Sequence, residues 1–322
     1  MTALDDLERA AALVYSAMSP TPQIRWPLLA ERTGADVWVK HENHSPVGAF
    51  KLRGGIVYME MLRETQPGLA GVITATRGNH GQSIAFAAAR FGLSVTIVVP
   101  HGNSREKNAA MRALGARLIE QGNDFQSAAE HARTLASSAG LHMIPSFDPA
   151  LVRGVATCGL EFLRAVTNLH TVYVPIGMGS GACAMIQARD ALGSGTRIVG
   201  VVADRAPAYA LSFERKEPIS TPSADTMADG VACRVPDARA LDILLRGLDR
   251  IVRVTEDEIA AAMVNYFTDT HNVAEGAGAL PLAALLRERQ SMKGRTVGLV
   301  LTGGNVDREI FARILQPPAS DA

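Results

Sequence analysis

The stretch TVYVPIGMGSG, residues 171–181, decides the fold class that the sequence predicts. Its first half is apolar and partly β-branched, as in a buried strand, and its second half is a glycine-rich turn. A helical run follows the turn. A strand that ends in a turn and leads into a helix is the repeating unit of a parallel sheet.

The same succession recurs along the chain. Strands are predicted at residues 35–40, 71–75, 94–100, 116–119, 141–144, 171–175, 197–202 and 296–301. Helices are predicted at 82–90, 107–114, 127–139 and 256–269, the last with Thr255 as its N-cap and Glu258 three residues on. This alternation predicts an α/β fold with mostly parallel sheets, and two clusters of units predict two domains. Residues 205–236 break the rhythm and are predicted to be loop-rich.

Composition excludes several classes of protein. The chain has 322 residues, 47% of them apolar and 20% charged, with 32 basic and 32 acidic side chains. Zero net charge gives no reason to expect binding to nucleic acid or to an anionic membrane. No apolar run reaches the ~20 residues that span a bilayer, and the N-terminus lacks the features of a signal peptide. Three widely spaced cysteines predict reduced thiols, and with these features they predict a cytoplasmic protein.

Three glycine-rich turns follow predicted strands: TRGNHG at 76–81, GMGSG at 177–181 and TGGN at 302–305. In open α/β sheets, ligands bind beyond the carboxyl ends of the strands. The turn at 177–181 leaves backbone N–H groups uncovered at a helix start, which favours a phosphate. The alternative is that its glycines only let the helix pack closely on the strand. The third glycine of a dinucleotide-binding fingerprint is absent.

The turn at 76–80 offers polar side chains and backbone donors before a helix. Thr76, Arg77, Gly78, Asn79 and His80 are therefore candidates for binding a substrate carboxylate. The alternative is that Asn79 merely caps the helix and that His80 caps or packs.

Lys51 stands in GAFKLRGG, residues 48–55, which we interpret as a short loop. A lysine at a helix start is usually solvated. Phe50 and the flanking glycines instead indicate a tight, partly apolar pocket, which would lower the pKa of the amine and permit Schiff-base chemistry.

Four motifs in this order resemble those of pyridoxal-phosphate enzymes of the tryptophan-synthase-β type (fold type II). They are SPVGAFKLRGG at 45–55, RGNHGQ at 77–82, GMGSG at 177–181 and TGGNVD at 302–307. The subgroup they resemble most is that of serine/threonine dehydratases and serine racemases. ADGVA at 228–232, VTEDEI at 254–259 and EGAGA at 275–279 add to the resemblance.

The resemblance implies two open, twisted, mostly parallel-sheet domains with the cofactor in the cleft between them. Residues 1–47 and 149–322 would form a large cofactor-binding domain, and 48–148 a small mobile domain inserted in it. Lys51 would bind pyridoxal 5'-phosphate as a Schiff base and then remove the substrate Cα proton. The other cofactor-binding residues would be Phe50 beside the ring, Asn79 at its 3-hydroxyl, Thr302 at the pyridine nitrogen, Glu275, and Gly177, Met178, Gly179, Ser180 and Gly181 around the phosphate.

The chain also departs from related enzymes. Many bind a divalent cation through a Glu and an Asp at positions that here are Val202 and Ala208, so we predict no metal. Many racemases carry a Ser as second acid/base where this chain has Arg77.

The resemblance implies an enzyme that acts on a small amino-acid substrate as a homodimer, and the composition predicts that this enzyme is cytoplasmic. The predicted reaction is dehydration and deamination of a β-hydroxy-α-amino acid such as threonine or serine. Alternatives are a dehydratase specific for 3-hydroxyaspartate or for a bulkier substrate such as phenylserine, an amino-acid racemase, a β-replacement enzyme, or a non-catalytic protein of this fold that senses an amino acid.

Overall fold

The computed structural model describes residues 3–316, and within that range ten strands and fourteen α-helices form two sheets with helical layers. The strands are β1 (Gln23–Arg25), β2 (Asp36–His41), β3 (Gly71–Ala75), β4 (Ser94–Val99), β5 (Arg117–Glu120), β6 (His142–Met143), β7 (Thr171–Pro175), β8 (Arg197–Ala203), β9 (Arg250–Val254) and β10 (Thr296–Leu301). The first seven helices are α1 (Leu4–Tyr15), α2 (Pro27–Thr33), α3 (Lys51–Thr65), α4 (Asn79–Ala89), α5 (Arg105–Ala113), α6 (Phe125–Ala139) and α7 (Pro149–Ala165). The others are α8 (Ser180–Ala191), α9 (Ala208–Arg215), α10 (Ala238–Gly247), α11 (Glu256–Thr270), α12 (Gly276–Arg287), α13 (Arg289–Met292) and α14 (Arg308–Leu315).

The larger sheet has six strands in the order β1-β2-β10-β7-β8-β9, all parallel except β1. Its central strand β7 is buried at every position. Helices cover both faces, so a strand at the centre meets apolar side chains on either side. This is why the central strands are continuous apolar runs in the sequence.

The smaller sheet has four parallel strands in the order β5-β4-β3-β6. All its strands lie within residues 48–148, and all strands of the larger sheet lie outside that range. The apolar core beside α3 nevertheless also contains Val14 of α1 and Leu151 of α7. The division of the chain into a large and a small mobile domain stays a prediction.

The predicted strands agree with the structure within one residue at each end. The sequence analysis missed β1 and β9, which are the two edge strands of the larger sheet and are only partly buried. The predicted capping box of α11 is confirmed, because Thr255 accepts from the Glu258 backbone and Glu258 from that of Thr255. The stretch 205–236, predicted to be loop-rich, contains α9 and a short 3-10 turn at Asp229–Val231 and is otherwise irregular.

The topology places the three glycine-rich turns together. They follow β3, β7 and β10, whose carboxyl ends open into one cavity between the two sheets, lined among others by Ala75, Pro175 and Thr302.

Candidate active site

The cavity between the sheets gathers every site residue that the sequence predicted. Its lining includes Phe50, Lys51, Thr76, Arg77, Gly78, Asn79, His80, Gly177, Met178, Gly179, Ser180, Gly181, Glu275 and Thr302. These residues come from segments up to 252 positions apart, counted from Phe50 to Thr302.

Lys51 is the first residue of α3 and does not stand in a loop, so that part of the interpretation was wrong. Its Nζ donates to Ser180 Oγ at 3.0 Å and lies 5.0 Å from the centre of the Phe50 ring. Burial disfavours the charged amine and lowers its pKa from 10.5 to about 8. A lysine with this pKa is partly neutral near physiological pH and can act as a nucleophile or a base.

The turn at 177–181 combines close packing with an open helix start. A Cβ on Gly177 would lie 2.1 Å from the Gly230 carbonyl oxygen, and Gly179 caps α8 with φ +93°. Tight packing, the alternative considered for these glycines, is therefore part of their role. No side chain within residues 3–316 caps α8, so its first N–H groups face the cavity beside Ser180. This arrangement can bind an anion such as a phosphate.

In the turn at 76–80, Asn79 is not the N-cap of the following helix. Gly78, with φ +153°, is the residue that caps α4, and Asn79 is the first helical residue. The Asn79 side chain instead donates to Glu275 at 2.6 Å and accepts from Asn305 at 2.9 Å. The N-cap interpretation of Asn79 is thus wrong, and the side chain is held at the cavity from both directions.

His80 is buried in the cavity wall and is neutral. Burial, with a further contribution from the charge of Lys51, lowers its pKa to about 3. Its Nε2 has no hydrogen-bond partner among residues 3–316. A histidine with this pKa cannot serve as a proton donor near neutral pH.

Arg77 lies between the inner cavity and a wider outer cleft of about 690 Å³, and it lines both. Its Nη1 is 3.6 Å from Asp229 Oδ1, a long distance for an ion pair, and its side chain is 34% exposed. Its Nε has no partner within the described part of the chain. The contact with Asp229 is therefore loose, and Arg77 still lines the cavity.

Two charged residues of the site were missed by the sequence analysis. Lys107 of α5 donates to Glu275 Oε2 at 3.0 Å and lies 3.6 Å from Asp229. Burial acts to lower the pKa of Lys107, but these two carboxylates outweigh it and raise the pKa. Lys107 looked like an ordinary helical lysine in the sequence, whereas Asp229 stands in the ADGVA motif that carried part of the resemblance.

Thr302 ties the end of β10 to the segment that carries Lys51. Its side chain is buried at the cavity, and its carbonyl accepts from the Phe50 N–H at 2.9 Å. The adjacent Gly303 forms a β-bridge with Ala49. The motifs at 45–55 and 302–307 are thereby joined through backbone contacts.

The positions considered for a metal are apolar and buried. Val202 is in β8, and Ala208 starts α9. The nearby Asp204 is bound by Arg253 at 2.6 Å. Within residues 3–316, no three His, Cys, Asp or Glu side chains group as metal ligands would. The same described range holds no helix long and apolar enough to cross a membrane.

Comparisons with known proteins bear on this geometry. A family model described as "Pyridoxal-phosphate dependent enzyme" matches residues 14–303. The L-threonine ammonia-lyase of Thermotoga maritima is 32% identical over 316 residues, which cover 98% of this chain and 78% of that protein. Among solved structures, the processed form of threonine deaminase isoform 2 from Solanum lycopersicum superposes with a TM-score of 0.88 at 29% identity, covering 97% of this chain and 93% of that one. A pyridoxal 5'-phosphate-dependent aspartate racemase superposes with a TM-score of 0.90 at 28% identity, covering 96% and 97%.

Proposed function

We propose that this chain, which belongs to the family of pyridoxal-phosphate dependent enzymes, is an ammonia-lyase that dehydrates threonine. The products are 2-oxobutanoate and ammonia, and serine would give pyruvate and ammonia. The observation that carries the proposal is the position of Lys51 Nζ, 3.0 Å from Ser180 Oγ at the open start of α8.

The residues present fit pyridoxal 5'-phosphate. A lysine whose pKa is lowered to about 8 stands beside a helix start that no side chain caps within the described range. Gly177, Met178, Gly179, Ser180 and Gly181 would hold the phosphate through backbone N–H groups. When bound, the cofactor supplies an electron sink that stabilises negative charge at the substrate Cα.

Lys51 has two roles in this proposal. Its amine would hold the cofactor covalently, and as a free amine it would remove the Cα proton of the substrate. The fraction of neutral amine that both roles need is provided by burial. His80, with its pKa of about 3, is not the proton donor.

Thr302, Asn79, Glu275 and Phe50 would hold the ring of the cofactor. A hydroxyl at the pyridine nitrogen leaves that nitrogen less positive than a carboxylate would. The electron sink is then weaker, which suits rapid loss of the β-hydroxyl and disfavours transamination. Glu275 already fixes Asn79 and Lys107 on the opposite side of the cleft.

The substrate carboxylate would bind at the turn formed by Thr76, Arg77, Gly78, Asn79 and His80. The turn supplies backbone N–H groups at the start of α4, where the helix dipole favours an anion. A guanidinium has no basic form near neutral pH, so Arg77 cannot act as the second base of a racemase.

A second candidate substrate is 3-hydroxyaspartate. Arg77 favours it, because the loose contact with Asp229 leaves the guanidinium able to bind a second carboxylate at the mouth of the cavity. Relative rates on threonine and 3-hydroxyaspartate decide between the two substrates.

Three further features belong to the proposal. Residues 48–148 would move as a small domain and close the cleft over the substrate. The enzyme would work as a homodimer in the cytoplasm. The three cysteines are free and buried, as in a protein of a reducing compartment.

The test is a spectroscopic and product assay on the purified protein. We expect a yellow protein whose absorption band is bleached by borohydride, and release of ammonia with 2-oxobutanoate from threonine. Colour without ammonia from any β-hydroxy amino acid would refute the reaction, and loss of one enantiomer without ammonia would identify a racemase.

A further inference from the structure

A cluster of four charged side chains is buried next to the active site but does not line it. Lys40, Glu42, Arg53 and Glu161 form this buried ion cluster, with side chains 0%, 0%, 0% and 7% exposed. Their two positive and two negative charges balance. Arg53 belongs to the same motif as Lys51, but the proposed reaction gives Arg53 no role.

Arg53 is the centre of the cluster. Its guanidinium donates to Glu42 at 2.7 and 2.9 Å, to Glu161 at 2.6 and 2.8 Å, and to Thr157 at 2.9 Å. Lys40 pairs with the same Glu161 and donates to the Thr21 carbonyl at 2.6 Å. Arg53 is therefore held by carboxylates from two separate segments of the chain.

Stability alone is a weak reason for such a cluster. Removing charges from water costs several kcal/mol per ion, and well-packed apolar side chains often stabilise a protein as much as a buried ion pair does. What a buried pair adds is directionality, because each charge requires its partners in one geometry.

The buried ion cluster lies where it can fix the position of Lys51. Arg53 lies in the first turn of α3, two residues after Lys51, while Glu42 follows β2 and Glu161 is on α7. Close backbone contact reinforces the tether: a Cβ on Gly54 would lie 2.7 Å from the Leu151 carbonyl oxygen, and one on Gly154 would lie 2.3 Å from that of Arg53. At these two glycines the backbones of α3 and α7 are in direct contact.

We propose that Arg53 is a positioning residue whose ion cluster fixes the first turn of α3 to the six-stranded sheet. Lys51 then stays within reach of Ser180 and does not travel with the four-stranded sheet when the cleft opens. The proposal rests on the role assigned to Lys51 under the proposed function. It places the effective hinge beyond Arg53, later in the chain than residue 48.

The first test is Arg53→Met in the holoenzyme. We expect kcat on threonine to fall at least tenfold with KM changed less than threefold, and faster hydrogen–deuterium exchange in peptides covering residues 49–56. Arg53→Lys should recover part of both. Arg32→Met is the matched control, because Arg32 makes a bidentate pair with buried Asp269 at 2.6 and 2.8 Å outside the cavity lining. It should lower Tm without changing kcat or exchange at 49–56.

The second test separates positioning from stability. Arg53→Met combined with Glu42→Gln leaves Lys40 paired with Glu161, so the cluster stays neutral. We expect Tm to recover towards the wild type while kcat stays low and exchange at 49–56 stays fast. Recovery of kcat together with Tm, or failure of this variant to fold, would assign the cluster to stability alone and overturn the proposal. A wild type that releases no ammonia would refute the proposed function, whereas exchange at 49–56 would still report whether the tether exists.

Discussion

The amine of Lys51 derives its reactivity from burial and from one hydroxyl. Desolvation lowers its pKa to about 8, and its hydrogen bond to Ser180 directs it to the start of α8. Residues distant in sequence thus set both the protonation state of the amine and the direction in which the side chain points. The lysine itself could be identified from its motif.

Replacement of Lys51 by Ala should abolish elimination while the protein still binds the cofactor. The glycine turn at 177–181 and Asn79 remain, so binding is retained without a covalent bond. Mass spectrometry after borohydride reduction measures this: the wild type should carry the cofactor on Lys51 and the variant should carry none. A stable adduct on another lysine would contradict the assignment.

Replacement of Arg77 by Ala tests how the substrate is recognised. Loss of one charge-assisted contact should lower kcat/KM about ten- to a hundredfold, or about 1.5–3 kcal/mol. An equal loss for threonine and 3-hydroxyaspartate indicates a role at the α-carboxylate. A selective loss for 3-hydroxyaspartate indicates that Arg77 binds the second carboxylate. Unchanged values for both substrates would exclude Arg77 from the site.

At the scale of elements, the turn between β7 and α8 depends on glycine for two physical reasons. Gly179 adopts a positive φ, which side chains other than glycine rarely tolerate, and Gly177 approaches the Gly230 carbonyl too closely for any Cβ. The turn therefore sets the position of the N–H groups at the start of α8.

Gly177→Ala should weaken cofactor binding at least tenfold, because the new Cβ would lie 2.1 Å from backbone oxygen and the turn must shift. The affinity is measured by titrating apoprotein with pyridoxal phosphate. Gly195→Ala is the matched control, since no atom lies within 4 Å of its added Cβ and its φ is unremarkable. An unchanged affinity in Gly177→Ala would show that the turn does not bind the phosphate.

The loop between β8 and α9 leads to a prediction about metals. The side chains of Val202 and Ala208 offer no oxygen ligand, and the Asp204 carboxylate is engaged by Arg253. Treatment with a chelator should leave both Tm and turnover nearly unchanged. A large loss that Mg²⁺ or Ca²⁺ restores would mean that the cation binds through other residues.

At the scale of the whole molecule, buried histidines make stability depend on pH. His41 accepts a hydrogen bond from Trp26 Nε1 at 2.9 Å through its Nε2, and burial lowers its pKa from 6.5 to about 4. The unfolded chain therefore takes up the proton first. The stabilisation is present above pH 6.5 and is lost as the pH falls towards 4.

We expect the free energy of unfolding to fall by about 3 kcal/mol from His41 alone over this pH window, at 1.36 kcal/mol per pKa unit. His80 adds to the fall in the same direction. Denaturant unfolding at pH 7 and pH 4 measures it. The variant His41→Gln retains an acceptor for Trp26 but does not titrate, so its free energy of unfolding should fall less between pH 7 and pH 4 than that of the wild type. An equal fall in both proteins would exclude His41 as the cause.

Much of the fold and of the site could be predicted because the signals are local. Apolar β-branched runs gave the central strands within one residue, and short glycine motifs at strand ends marked all three turns that line the cavity. The edge strands β1 and β9 escaped prediction because they are only partly buried. A partly buried strand does not need the continuous apolar run that marks a central strand.

The sequence by itself determined the α/β class and the order of the motifs, and it predicted Lys51, Asn79 and Thr302 as site residues, which the fold brings to one cavity. Only the tertiary structure revealed the contact of Lys107 with Glu275, of Arg77 with Asp229, and of Arg53 with Glu161. Each of these pairs joins residues more than a hundred positions apart, and a charged side chain carries no mark of its partner in the sequence. Burial and pairing of charges depend on which segments the two sheets bring together, so they are decided only when the chain has folded.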